Sequence, residues 1–391
     1  MNKGIFIILA LGIVPLFFSC RKIPVNSVNL VDASGFDTVI NGGKVELYTL
    51  HNKNGCFAQF TNLGGRWVSM LVPDKSGKMT DVVLGFKTVK EYLTAGEPYH
   101  GAIVGRVCGR INDACFEMGG VTYLLAHNDG FGKPEKNHLH GGVDGFHLKI
   151  WDGSKFENEM GEQGVRFVYK SADGEEGYPG NLDVTVSYLL TDKNELRIEY
   201  RAVTDKQTIV NLTNHSFFNL NGEGNGNILD HEMNIFADKY VECDKELIPT
   251  GKLKPVSGTP LDYREFNTMG MGICEQFDQI FLNKGYAAAM VIKEQNNDSL
   301  QFVAEAFSNQ SGIKISVFSD QPSLQIYNAW LFDGKDVGKS GKKYIFSGGF
   351  VLETQGYPDA PNHKNFPGIE LSPGEFYSHT CIYKFSIQNG K

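Results

Sequence analysis

Apolar side chains return at every second position through the middle of this chain. Leu182, Val184, Val186, Tyr188 and Leu190 alternate with Asp183, Thr185 and Ser187. After Asp192-Lys193-Asn194 the rhythm resumes, with Leu196, Ile198 and Tyr200 between Arg197, Glu199 and Arg201. A period of two matches a pleated strand, whose side chains point alternately to opposite faces, and cannot keep one face of a helix apolar. The two runs and their polar turn therefore read as an antiparallel hairpin with one face buried. Ile313, Ile315 and Val317 alternate with Lys314 and Ser316 in the same way, and no window of a dozen residues carries a helical stripe. Turn signals recur at Asn41-Gly42-Gly43, Asp173-Gly174 and Asn221-Gly222, and 45 glycines, 27 Phe and 16 Tyr suit many turns and aromatic-rich strands. The expectation is an all-β fold of many strands in large packed sheets. No linker or composition shift follows residue 40, so 41–391 reads as one domain.

The first forty residues read differently. Lys3 precedes an apolar run from Gly4 to Phe18, and Ser19-Cys20 follows it. As a helix that run would span about 22 Å, short of a bilayer core of about 30 Å, and it contains Pro15. It reads as an export signal over 1–19 that resembles a bacterial lipoprotein signal, with Cys20 the lipidated first residue of the mature chain. A plain secretory signal is the alternative, and both export the protein. Lipidation would make a membrane, facing the periplasm or the cell surface, the partner of Cys20. Residues 20–40 are expected to be a tether. The other six cysteines show no C-x-x-C pair or regular spacing, so free thiols are expected and no zinc site. With 37 basic against 45 acidic residues, net charge −8, and no Lys/Arg run longer than a pair, nucleic acid is a poor partner.

Five polar clusters interrupt the strand pattern: Gly105-Arg106-Val107-Cys108-Gly109-Arg110-Ile111, Asn137-His138-Leu139-His140-Gly141-Gly142, Leu212-Thr213-Asn214-His215-Ser216-Phe217-Phe218-Asn219, Leu261-Asp262-Tyr263-Arg264, and Leu352-Glu353-Thr354-Gln355-Gly356-Tyr357-Pro358-Asp359. His138 and His140 would share a strand face and could ligate a metal, but two glycines break that strand and Asp144 is a weak third ligand, so no metal is expected. The polar run around His215 is denser than a core strand can bury without purpose. Glu353 follows Phe350-Val351-Leu352, so strand continuity would carry a carboxyl inside, where it is costly unless paired or functional.

These clusters, in this order, resemble the aldose 1-epimerase (galactose mutarotase) family. The resemblance extends to Leu71-Val72-Pro73-Asp74, Thr80 to Phe86, Gly177-Tyr178-Pro179-Gly180 and Leu371-Ser372-Pro373-Gly374-Glu375, and spans about Val45 to Phe385. It implies a large antiparallel β-sandwich, the galactose mutarotase-like supersandwich, with an open cleft on one face. It places the general acid on His215 and the general base on Glu353. It puts Arg110, His140, Asp262 and Gln325 on the sugar, with Gly109, Ser216 and Phe217 beside them.

The implied reaction interconverts α and β anomers of a free monosaccharide of the glucose or galactose type. The anomeric hydroxyl loses a proton while the ring oxygen gains one, the ring opens, C1 rotates, and the reverse steps close it. No hydride, phosphate or metal moves, so no cofactor is implied. Two positions depart from the family pattern. Gly109 replaces an Asn, which removes one hydroxyl contact, and Gly356 replaces a larger residue, which is expected to widen the cleft. The competing expectation is a sugar-binding lipoprotein that has the cleft without turnover.

Overall fold

The computed structural model describes residues 28–129, 136–280, 285–293 and 300–388. Among the described residues the largest sheet has nine antiparallel strands. In spatial order they are Asp152–Glu157, Gln163–Ser171, Leu182–Leu190, Glu195–Thr204, Tyr377–Ile387, Ile313–Ser319, Gln301–Phe307, Glu232–Ile235 and Asn267–Thr268. The expected hairpin is present, with Leu182 opposite Thr204 and Leu190 opposite Leu196. Leu182, Val184, Val186, Tyr188 and Leu190 are buried, while Asp183 between them is exposed.

Two further sheets complete the architecture. One has four strands, Leu47–His51, Phe57–Thr61, Arg66–Pro73 and Met79–Asp81; the other has five, in the order Pro249–Pro255, Ala237–Cys243, Ala287–Ile292, Ser323–Tyr327 and Val351–Gln355. Val184 and Val186 from the first sheet, Phe60 and Met70 from the second, and Met290, Ile326 and Leu352 from the third meet in one core. The large β-sandwich is therefore what the alternation demands: each sheet hides its apolar face against another.

Two expectations need correction. A six-residue α-helix, Val89–Thr94, escapes a search for helical stripes because it is under two turns long. Its start is nevertheless written as Thr88-x-x-Glu91, a capping box in which Glu91 N donates to Thr88 Oγ1 at 3.2 Å and Thr88 N donates to Glu91 Oε2 at 2.9 Å. The proposed tether over 20–40 is the other. From residue 28 onward the chain belongs to the folded body: Val31 N donates to Gln59 Oε1 at 2.8 Å, Gln59 Nε2 donates to Val31 O at 2.9 Å, and Thr38–Ile40 pairs with Gly43–Val45. Phe36 is fully buried beside Tyr92. A single aromatic and a few turn residues have no period, so the segment looked patternless. The apolar run and Cys20 lie outside the described residues.

If Phe36 pins this segment to the domain, Phe36→Ala should lower stability by about 3–5 kcal/mol, as other buried Phe truncations do. A urea titration would show the midpoint falling with its slope unchanged. An unchanged midpoint would mean the segment contributes nothing.

Candidate active site

The strand Val351–Gln355 is buried along its whole length, yet its two faces differ. Leu352 points into the sandwich core, and Thr354 meets His379 Nε2 at 2.9 Å. Glu353 and Gln355 point the other way and line a cleft. On the neighbouring strand Gln325 lies directly opposite Glu353 in the register, and Tyr327 opposite Val351. Directly opposed residues of an antiparallel pair stand about 4.5–5.5 Å apart at Cβ, so Gln325 and Glu353 present adjacent polar heads to the cleft.

His215 comes from a loop that the surrounding backbone holds on both sides. Thr213 and Asn214 pair with Val104 and Ile103. His215 N then donates to Ala102 O at 2.9 Å, and Gly101 N donates to His215 O at 2.9 Å. Thr213 Oγ1 donates to Thr354 O at 3.0 Å, tying this loop to the strand that carries Glu353. The result is His215 Nε2 at 4.0 Å from Glu353 Oε1, with 4% of His215 and 2% of Glu353 exposed.

The cleft is open to solvent and lined by apolar and aromatic side chains with a few convergent polar heads, the usual make-up of a small-molecule site. Of the nine residues expected there, His215, Glu353, Arg110, His140, Gln325 and Gly109 line it. His140 is turned toward it by a left-handed backbone, φ 52°, and its Nδ1 accepts from Gly109 N at 3.2 Å. Gly141 has to be glycine, because a Cβ there would lie 1.7 Å from Gly105 O. His138 is structural: its Nδ1 is 2.7 Å from Ala126 O and its Nε2 is 2.7 Å from Tyr178 Oη, so both nitrogens are engaged away from the cleft.

Three expected residues stand elsewhere. Asp262 lies outside the cleft and is held by Arg264, through Nε to Oδ1 and Nη2 to Oδ2, both at 2.8 Å. Two residues apart in an irregular loop, those side chains satisfy each other. Ser216 and Phe217 sit behind the cleft: Ser216 Oγ donates to Asn214 Oδ1 at 2.5 Å, and the Phe217 ring packs 5.0 Å from that of His215. Gly356 also lies behind it, donating to Asn211 Oδ1 at 2.9 Å, so it does not widen the opening.

Other functional groups escaped the motif reading. Arg110 Nε donates to Asp129 Oδ2 at 2.7 Å, and Asp129 is only 4% exposed, so this acid holds the guanidinium in place. Glu97, Tyr99, Tyr327 and Trp330 also form the walls. Asp129 and Glu97 carried no signal in the sequence.

Burial sets the electrostatics. Loss of hydration lowers His215 to about 4, assisted by the nearby Arg66 guanidinium. The same loss pushes Glu353 well above the usual carboxyl range, with the charge of Glu97 adding to it. Glu97 itself is raised to about 7, chiefly by desolvation. Both shifts favour the uncharged forms, a protonated carboxyl on Glu353 beside a neutral imidazole on His215.

A β-sandwich that buries an imidazole beside a carboxyl, in a cleft rimmed by Arg, Gln and aromatic rings, defines an acid-base catalyst for a small polar ring. The model of the family described as Aldose 1-epimerase matches residues 46–384. The galactose mutarotase of Bos taurus is 41% identical over 355 residues, 90% of this chain and 97% of its own; the aldose 1-epimerase of Haemophilus influenzae is 36% identical, covering 87% and 96%. Among solved structures, an aldose epimerase homologue from C. elegans superposes with TM-score 0.79 at 28% identity, over 88% of this chain and all of its own. The galactose 1-epimerase of Lactobacillus acidophilus reaches 0.77 at 26%, over 90% and 97%. This chain belongs to the aldose 1-epimerase family.

The geometry separates the two aspartates. Asp129→Asn removes the charge that fixes Arg110 and should raise KM for a monosaccharide by roughly 3- to 10-fold, the worth of about one hydrogen bond. Asp262→Asn should leave KM unchanged. Steady-state kinetics on both variants checks this, and a KM effect confined to Asp262→Asn would reverse the assignment.

Proposed function

We propose that this protein interconverts the α and β anomers of a free aldose of the galactose and glucose type, with Glu353 as base and His215 as acid. The observation that carries the reading is the buried pair at 4.0 Å, facing a cleft lined by Arg110, His140, Gln325 and aromatic rings. Curated relatives named galactose mutarotase and aldose 1-epimerase support the same substrate class.

The proton balance follows from the pair. With the cyclic sugar bound, its hydroxyls donate to Glu353, whose Oε1 has no hydrogen-bond partner among the described residues, and this favours the carboxylate. The shared proton then resides on His215. Glu353 takes the proton of the C1 hydroxyl as His215 delivers its own to the ring oxygen, and the C1 to ring-oxygen bond breaks. The open aldehyde is left beside a protonated Glu353 and a neutral His215, the distribution that burial by itself favours. C1 rotates and both protons return. A binder without turnover would have no use for this pairing.

Glu353→Gln and His215→Asn keep polar shapes while removing the proton acceptor and the donor. Each should lower kcat by about 10²–10⁴ with a much smaller change in KM, measured by polarimetry of freshly dissolved α-galactose against spontaneous mutarotation. The pH profile of kcat/KM should be a bell. Acid adds a second proton as His215 titrates near 4 and removes the base, whereas alkali strips the shared proton above the raised value of Glu353 and removes the acid. Because the Glu97 charge raises Glu353, Glu97→Gln should shift the alkaline limb to lower pH. Wild-type speed in Glu353→Gln would overturn the mechanism.

The exported location is part of the same proposal and rests on the Lys3, Gly4 to Phe18 and Cys20 pattern. Cys20→Ala should move the protein from the membrane fraction to the soluble fraction with unchanged specific activity. Wild-type protein found entirely soluble after export would rule out the anchor.

A further inference from the structure

Gln355 follows Glu353 by two positions, on the same face of the same strand, and is 1% exposed. Its carbonyl end is engaged by a residue 247 positions away: Cys108 Sγ donates to Gln355 Oε1 at 2.9 Å. Burial holds that thiol well above its ordinary value, so it keeps the hydrogen it donates. The reverse orientation of the amide would aim its NH2 group at a sulfur, which is a weak acceptor.

With the oxygen fixed, the nitrogen faces the other way. Gln355 Nε2 is buried without a hydrogen-bond partner among the described residues. It borders the corner of the cleft that Gly109 and Pro358 line. Gly109 has φ +75°, and a Cβ built there would lie 3.9 Å from this nitrogen. That Cβ would also lie 3.0 Å from Pro358 Cβ, so Pro358 and the bare Gly109 backbone flank an amide donor whose burial calls for an acceptor from the cleft.

We infer that Gln355 is a further substrate-contacting residue, donating an amide N–H to a ring hydroxyl of the bound aldose, and that Cys108 is the positioning residue that fixes which end of the amide faces the sugar. The inference rests on the acid-base reading, which sets C1 at Glu353. Residues i and i+2 of a strand are roughly 6.8 Å apart, so the hydroxyl within reach of Gln355 lies across the ring from C1, on C3 or C4.

The test couples enzyme and substrate changes. Gln355→Met keeps the length and loses the donor, and should lower kcat/KM for galactose by about 3- to 10-fold, mostly through KM. The same substitution should cost the full factor with 2-deoxygalactose but less than 2-fold with either the 3-deoxy or the 4-deoxy sugar, whose missing oxygen is the partner. Cys108→Ala, which frees the amide, should show part of the loss, and Cys108→Ser, which restores a donor, should recover it. These two variants decide the question even if Gln355→Met fails to fold. An equal penalty for every deoxy sugar, or no penalty at all, overturns the contact, as does Cys108→Ser behaving like Cys108→Ala. If wild-type protein does not accelerate mutarotation in the same assay, the acid-base reading falls and takes this inference with it. If wild type is active and the coupling is missing, only the inference falls.

Discussion

Everything in the cleft depends on keeping one imidazole and one carboxyl dry, close and unbonded to each other. At 4.0 Å His215 and Glu353 are too far apart to close a direct hydrogen bond, yet near enough that both can reach one bound ring. In water both would titrate at ordinary values, and the pair would be an imidazole beside a free carboxylate near neutral pH. Desolvation drives His215 down and Glu353 up, which favours an uncharged pair that holds one proton between them. Such a unit can give a proton at one atom and take one at another without exchanging charge with solvent, and opening a sugar ring requires no more.

Holding that separation takes an unusual amount of buried polar structure. The residues around His215 are braces: Asn214 Nδ2 donates to Gly101 O at 2.8 Å, Asn219 Nδ2 to Gly226 O and Gly348 O at 3.1 Å, and Thr213 Oγ1 to Thr354 O at 3.0 Å. Apart from the bond to Gly226, each joins segments more than a hundred positions apart, and Thr213 ties the loop bearing His215 to the strand bearing Glu353. Arg106 works likewise on the far side, donating to Pro179 O and Gly180 O at 2.9 Å and fixing the turn behind the cleft. Its neighbour in the same short motif, Arg110, faces the cleft instead. Two arginines four positions apart thus divide into a buried strut and a side chain that lines the cleft.

The failures of the sequence reading share a cause. The family resemblance of its Asp-x-Arg run placed Asp262 on the sugar, and in the fold the arginine of that run is its partner. Residues 28–40 looked like a tether because one buried Phe and one side-chain clamp leave no periodic trace. Asp129, Glu97 and the Cys108 to Gln355 contact were invisible because their meaning lies in what the far chain brings beside them.

The alternation of side chains determined by itself that this chain forms sheets, since a period of two can bury one face only in a strand. The cluster order determined which residue types the site would use. Whether a given polar residue faces the core, the solvent or the cleft was decided by sheet pairing and loop crossing. Along Val351–Gln355 the same backbone turns Leu352 to the core and Glu353 to the cleft, and the register with Gln325 selects what stands beside the base. The charge states were decided last and only in three dimensions, because hydration is lost to neighbours that the sequence does not place.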